Sequence, residues 1–381
     1  MGILGLVRPH WRSEMSLPSR IDKILSGDRR LGSRDRRIYR ELVYTALKYL
    51  PWIEPLLEAD PPGAVRRIAW LASETPAVRG FRDEITSGMP RCPADSLGKA
   101  QLLGCDDSVL TPGWLREECP AASVPPLRDI LLTRAPLWLR LQTDRPQAVL
   151  GEFEGLGLKW QPSERLAGAL ELAAGTDISR TDAYATGMVE IQDIGSQLVL
   201  PTAGVPPGGH WLDACAGAGG KTLQLAAMLG SGGRVSARDI RRSALEELSQ
   251  RAFRSGVGSR ISVAQQPDPA GGFDGVLVDA PCSGSGTLRR SPHLRWTTTE
   301  AAIKSACELQ LRLLNENAPR VRPGGLLVYA TCSLCRSENE SVAGLFQESN
   351  AGFEPVAPAT RLVPPSHDGD AFFVASFRRK A

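Results

Sequence analysis

Several features are missing from this chain of 381 residues, and each absence narrows what it does. No apolar run approaches the ~20 residues that a membrane-spanning helix needs, and no charged-then-apolar leader opens the sequence. A soluble, cytoplasmic protein without membrane partners is therefore expected. Position 6 is Leu where a myristoylation signal after Met1-Gly2 would need Ser or Thr. The eight cysteines form no regular framework, which suits free thiols in a reducing compartment better than a disulfide scaffold. The histidines His10, His210, His293 and His367 stand alone. Cys332 and Cys335 make a Cys-x2-Cys pair, but neither Cys282 nor those histidines supply the second ligand pair of a structural zinc site, so no metal is expected. Net charge is only +3, and no repeat or low-complexity tract occurs, so a polyanionic partner has to be sought in local charge.

What is present is enough apolar sequence, 42%, for a full core and two or three domains. Residues 16–75 show apolar positions at three- and four-residue steps (Ile21, Ile24, Leu25; Ile38, Leu42, Val43, Ala46, Leu47), the period of helices. Between Arg20 and Lys48 stand nine basic residues against four acidic ones, densest around Arg34, Arg36 and Arg37. Such a run is either a solvated helix face or a phosphate-contacting patch. Residues 86–126, rich in Pro, Gly and Cys, read as irregular. A strand over 136–142 and a helix near 147–156 open a small α+β module. After Gly208-Gly209, strands alternate with amphipathic helices, the pattern of a doubly wound parallel sheet. Strands are predicted at about 210–215, 233–239, 260–265, 274–280, 325–331, 353–357 and 370–377, and helices over 219–229, 241–255, 300–318 and 337–348. A capping box is predicted at Thr297 and Glu300, and Pro319 should end that helix early. The last strand follows its predecessor too closely for a helical crossover, so it should run antiparallel.

Three motifs carry chemistry. Trp211-Leu-Asp213-Ala-Cys215-Ala216-Gly217-Ala218-Gly219-Gly220-Lys221-Thr222 is a strand entering a glycine-rich turn and a helix, with Asp239 placed to accept ribose hydroxyls 19 residues after Gly220. Alone it suits NAD or S-adenosylmethionine equally. The phosphate-loop spacing Gly-x4-Gly-Lys-Ser/Thr fails because position 215 is Cys. Val276 to Gly284 is a strand delivering Asp279 and then Cys282. Leu327 to Ser333 is another, ending in Cys332. Either cysteine alone would pass for a buried inert thiol, but two at the ends of two apolar strands point to catalysis. Carbon 5 of cytosine is too poor a nucleophile to take a sulfonium methyl unless a thiolate first adds at carbon 6. That chemistry needs an attacking thiolate, a donor at N3 (a role open to Asp279) and a base for the C5 proton, which a second thiol suits.

From about Ala135 onward the chain resembles the RNA 5-methylcytosine methyltransferase superfamily, and in its layout the bacterial 16S ribosomal RNA branch. The matching pieces are Ile191-Gln-Asp-Ile-Gly-Ser-Gln197, the Asp213–Thr222 loop, Asp279-Ala-Pro-Cys-Ser-Gly284, Leu309-Gln310, Val321-Arg-Pro-Gly-Gly325, Tyr329-Ala-Thr-Cys-Ser333, Glu338-Asn-Glu340 and His367-Asp-Gly-Asp-Ala-Phe-Phe-Val-Ala375. The resemblance implies an α/β fold. Residues 198–381 would form a Rossmann-like S-adenosylmethionine methyltransferase domain, 128–197 a small α+β adaptor, and 1–127 an all-α NusB-like RNA-binding domain with its linker. It implies that Cys332 attacks and Cys282 releases the product, with Asp279 and Lys221 as the other catalytic candidates. The cofactor would be held by Cys215, Ala216, Gly217, Ala218, Gly219, Gly220, Lys221, Asp239, Gln266 and Asp279. It turns Arg34, Arg36 and Arg37 into expected RNA contacts. The expected substrate is a cytosine in 16S ribosomal RNA, with transfer RNA as the alternative, and the expected state is a monomer. A catalytically silent RNA-binding factor would not need both cysteines and Asp279. An NAD-dependent oxidoreductase would need a hydride-transfer partner such as His at the sheet edge, and none is evident. The chain departs from the family at Ala218, where Pro is usual, at His293, where an acid is common, and after the third strand, where Gln266 or Asp268 stands in for the acid that meets the adenine.

Overall fold

The structure, a computed structural model, describes residues 2–263 and 268–381, which divide into two compact units. One consists of the residues up to Arg134 together with Thr287–Glu300, and the other of Ala135–Gly286 and Ala301–Ala381.

The first unit is helical. Leu17–Gly27 buries Leu17, Ile21 and Leu25, as its period requires. Ser33–Lys48 begins where the Asp35 carboxylate accepts the Gly32 N–H at 3.0 Å, and it buries Val43, Ala46 and Leu47 while Arg34 and Arg37 stay exposed. Asp60 caps Pro61–Leu71 by accepting the Gly63 N–H at 3.0 Å. The stretch read as irregular contains two short helices, Ser96–Leu103 and Gly113–Glu118. Trp11, Trp52 and Trp70 dominate the core. The returning segment Thr287–Glu300 is bound into this unit by hydrogen bonds. Trp296 Nε1 donates to Leu47 O at 2.6 Å, and the buried Arg295 donates to Leu110 O at 2.8 Å. Here the capping box is not formed. The helix begins at Glu300, and Thr297 ends a separate turn, Leu294–Thr297, with its hydroxyl donating to His293 O at 3.2 Å. The helix starting at Glu300 ends at Asn317, two residues before Pro319.

The second unit contains two sheets. Leu137–Leu141 (β1), Trp160–Pro162 (β2), Ala169–Leu172 (β3) and Val189–Ile191 (β4) pair antiparallel in the order β2-β3-β1-β4. The helix Pro146–Gly155 buries Val149 and Phe153 against Leu139 and Leu170.

The larger sheet, of eight strands among the described residues, comprises Gly209–Asp213 (β5), Gly233–Ala237 (β6), Ile261–Ser262 (β7), Phe273–Asp279 (β8), Val321–Thr331 (β9), Phe353–Pro355 (β10), Thr360–Leu362 (β11) and Phe372–Arg379 (β12). Its order is β10-β12-β9-β8-β5-β6-β7, with β11 on β12. Strands β9, β8, β5, β6 and β7 are parallel, and β12 runs antiparallel beside β9, pairing Phe373 with Thr331. The chain winds outward from β5 through β6 to β7, then crosses back to β8. The carboxyl ends of β5 and β8 therefore flank a switch point, where open α/β sheets bind ligands. Among the described residues no helix is long and apolar enough to cross a membrane.

Candidate functional site

The turn after β5 is shaped by its glycines. Gly219 has φ +92°, and a side chain there would also strike Leu248, with Cγ 2.7 Å from its Cβ. Gly217 sends its N–H to Asp239 Oδ2 at 2.8 Å, and the helix Gly220–Leu229 starts immediately afterward. Ala218, lacking the ring of Pro, has its carbonyl tied by Arg251 Nη1 at 2.7 Å. Asp239 follows β6 by two residues. Burial pushes its carboxyl up, but the Arg241 side chain and the Arg241 and Gly217 N–H groups outweigh this and hold it below the usual range. Cys215 is pushed up to about 12, first by burial and then by Asp213, Asp279 and Asp239, which favours the neutral thiol in this turn.

Asp213, to which the motif alone gives no role, sits under this turn at 1% exposure. Burial pushes its carboxyl up to about 7, against the pull of the Thr222 hydroxyl, which donates to Oδ2 at 2.7 Å. Lys221 reaches from the first turn of the helix to Asp279 at the end of β8, with Nζ 2.8 Å from Oδ2 and 4.5 Å from the centre of the Phe372 ring. Phe372 belongs to the antiparallel strand β12, a contact that no local spacing announces.

Beyond Asp279 the chain turns through Ala280-Pro281 to Cys282, and β9 ends one residue before Cys332. Because β8 and β9 are parallel neighbours, the two sulfurs meet at 3.4 Å. Their hydrogen bond and burial push the Cys282 thiol well above its usual range. Cys335 faces elsewhere, with Sγ 3.5 Å from Ser285 Oγ and its thiol pushed up to about 12 by burial and then by Glu338. Gly286 N–H donates to Cys332 O at 2.9 Å, and a Cβ at Gly286 would lie 2.2 Å from Ala371 O, so three segments converge tightly beside the thiols.

The structure therefore gathers Cys332, Cys282, Asp279, Lys221 and residues 215–220 at the carboxyl ends of β5, β8 and β9, with Asp239 at the adjoining edge. Gln266 lies outside the described residues. Asp268 is occupied by Arg238, at 2.8 Å, and by Arg320. In the other unit, Arg34 and Arg37 are exposed and Arg36 is half-buried on the helix Ser33–Lys48, and none of the three makes an ion pair among the described residues.

Comparison with known proteins follows the same lines. Residues 205–378 match the family described as 16S rRNA methyltransferase RsmB/F. Ribosomal RNA small subunit methyltransferase B of Salmonella arizonae is 30% identical over 292 residues, which is 72% of this chain and 68% of that protein. The crystal structure of PH0851 superposes with a TM-score of 0.74 at 22% identity, covering 99% of this chain and 97% of that one, and speaks for the fold alone. A methyltransferase homolog protein from Pyrococcus horikoshii superposes with a TM-score of 0.60 at 25% identity, over 74% of this chain and 98% of that one.

Proposed function

This chain belongs to the 16S rRNA methyltransferase RsmB/F family, and from that premise we propose that it methylates carbon 5 of a cytosine in 16S ribosomal RNA, using S-adenosylmethionine and Cys332 as nucleophile. The observation that carries this reading is the pair of thiols 3.4 Å apart at the ends of two adjacent parallel strands, beside a glycine turn and an Asp–Lys pair.

The residues around the turn fit the cofactor. Gly217 to Gly220 let backbone approach a nucleoside, Asp239 offers a carboxylate for ribose hydroxyls, and the helix N-terminus at Gly220 offers free N–H groups. When bound, the cofactor supplies an electrophilic methyl group.

The protein's part begins with the base, which leaves its stack to reach the thiols. Cys332, once its proton has passed to water, adds as the thiolate to carbon 6, which drives electron density toward N3 and makes carbon 5 nucleophilic. A proton reaches N3 by way of Asp279, and the Lys221 ammonium, 2.8 Å from its Oδ2, balances the carboxylate that remains. After methyl transfer, the C5 proton must leave before the carbon–sulfur bond can break. We assign its removal to Cys282, the sulfur beside Cys332, once its own proton has passed to water. Arg34, Arg36 and Arg37 contact RNA phosphates from the helical unit, and the enzyme acts in the cytoplasm as a monomer.

Bisulfite sequencing tests the substrate. In cells lacking this chain, one cytosine of 16S ribosomal RNA should become fully convertible while transfer RNA is unchanged. If the affected cytosine lies in transfer RNA instead, the substrate assignment fails.

A further inference from the structure

Glu338 is a fully buried carboxylate that the chemistry above leaves unused. It lies in a π-turn, Ser337–Ser341, an irregularity often found at functional sites. Its Oε1 accepts the Ser283 N–H at 2.7 Å and Gln310 Nε2 at 3.1 Å, and its Oε2 accepts the hydroxyls of Ser283 and Ser333. Ser283 is the residue after Cys282, and Ser333 is the residue after Cys332. Gln310 Nε2 also donates to Pro281 O at 2.9 Å, so the chain is held on both sides of Cys282. Tyr329 OH, in β9, donates to Gln310 Oε1 at 3.1 Å and to the Glu338 carbonyl.

Among the described residues no basic side chain pairs with Glu338. A buried carboxylate with no counter-ion is costly, and uncharged donors must hold it in place of a partner cation. A neutral side chain could fill the same space more cheaply, so the charged group is explained by the four donors it gathers. Those donors come from three segments, and two of them adjoin the two cysteines.

We propose that Glu338 is a positioning residue, a shared acceptor that fixes the residue following each thiol and so sets the separation and orientation of Cys282 and Cys332. This rests on the reading of those two thiols as the reacting pair.

The test uses the full chain with Glu338→Gln, which keeps the size of the side chain and an acceptor for Ser283 N–H but replaces one oxygen with a donor. The first readout needs no RNA: the rate at which dibromobimane bridges Cys282 to Cys332, mapped by peptide mass. The second is methyl transfer to 16S ribosomal RNA, resolved into kcat and KM. Bridging should slow, and kcat should fall between about ten- and a hundredfold, the loss expected from small misplacement of reacting groups. KM for RNA and S-adenosylmethionine affinity should stay within a few-fold and the melting temperature nearly unchanged. Should Glu338→Gln fold poorly, Ser333→Ala removes a single donor and should shift both readouts in the same direction by less. Parental bridging in a folded Glu338→Gln or Ser333→Ala variant overturns the proposal, whatever kcat does. Slowed bridging in a protein whose Cys332 never bonds to RNA would support the positioning role and sink the nucleophile assignment instead.

Discussion

At the scale of single residues, Asp213 makes the protein's stability depend on pH in a way that can be isolated. Its carboxyl titrates near 3.8 in an unfolded chain and at about 7 when buried under the glycine turn after β5. Between those values the folded state keeps a proton that the unfolded state has lost, so stability falls as pH rises through this window and levels off above about 7. Asp213→Asn has no proton to lose. Its melting temperature should change less between pH 5 and pH 8 than the parent's, with the parent losing more toward pH 8. Parallel melting curves for the two proteins across that range would show that Asp213 is ionised in the fold. Residue identity also decides what could be read in advance. Cys282 and Cys332 were legible because an apolar strand ending in cysteine leaves a local mark. Glu338 appeared only as part of a Glu-Asn-Glu string, because its meaning lies in donors at positions 283, 310 and 333, far apart in sequence.

At the scale of elements, periodicity located most of the helices and strands, though not the strand Thr360–Leu362 or the helix Ile194–Thr202, and it did not show their defects. The helix expected over 337–348 opens as a π-turn, since a fifth-residue hydrogen bond has no distinct hydrophobic period. The box at Thr297 failed because Thr-x-x-Glu spacing is blind to a separate turn ending at Thr297. The antiparallel last strand was foreseeable from loop length alone, whereas its Phe372 ring under Lys221 was not. The helix Ser33–Lys48 carries its own prediction. Its arginines at 34, 36 and 37 make no ion pair among the described residues, while Asp35 serves the N-terminal cap and Glu41 pairs with Arg134 at 2.8 Å. Changing all three to Gln keeps helix propensity, so the fold should survive. Each lost phosphate contact should lower the log–log salt slope of RNA binding by about 0.9 for duplex or about 0.7 for single strands. Weaker, less salt-sensitive binding with unchanged cofactor affinity is the expected result. A parental salt slope with a lowered melting temperature would assign the arginines to folding.

At the scale of the whole molecule, the sequence divides at places where composition shifts, and such shifts show where a linear domain begins. They cannot show that residues 287–300 leave one compact unit and join the other, because nothing in the sequence marks Arg295 and Trp296 until their partners at Leu110 and Leu47 are seen. The candidate site was more legible than the architecture, since β5, β8 and β9 each end in their own motif and the switch point of a parallel sheet must bring those ends together. If Cys332 bonds to the base and Cys282 is needed to let go, the covalent species itself can be trapped. Cys282→Ala should be incubated with 16S ribosomal RNA and S-adenosylmethionine, denatured, and the RNA-linked peptide identified by mass. A denaturation-resistant adduct carried by Cys332 should form, and it should disappear in Cys282→Ala/Cys332→Ala. No adduct with Cys282→Ala, or one that persists when Cys332 is removed, would contradict that division of roles.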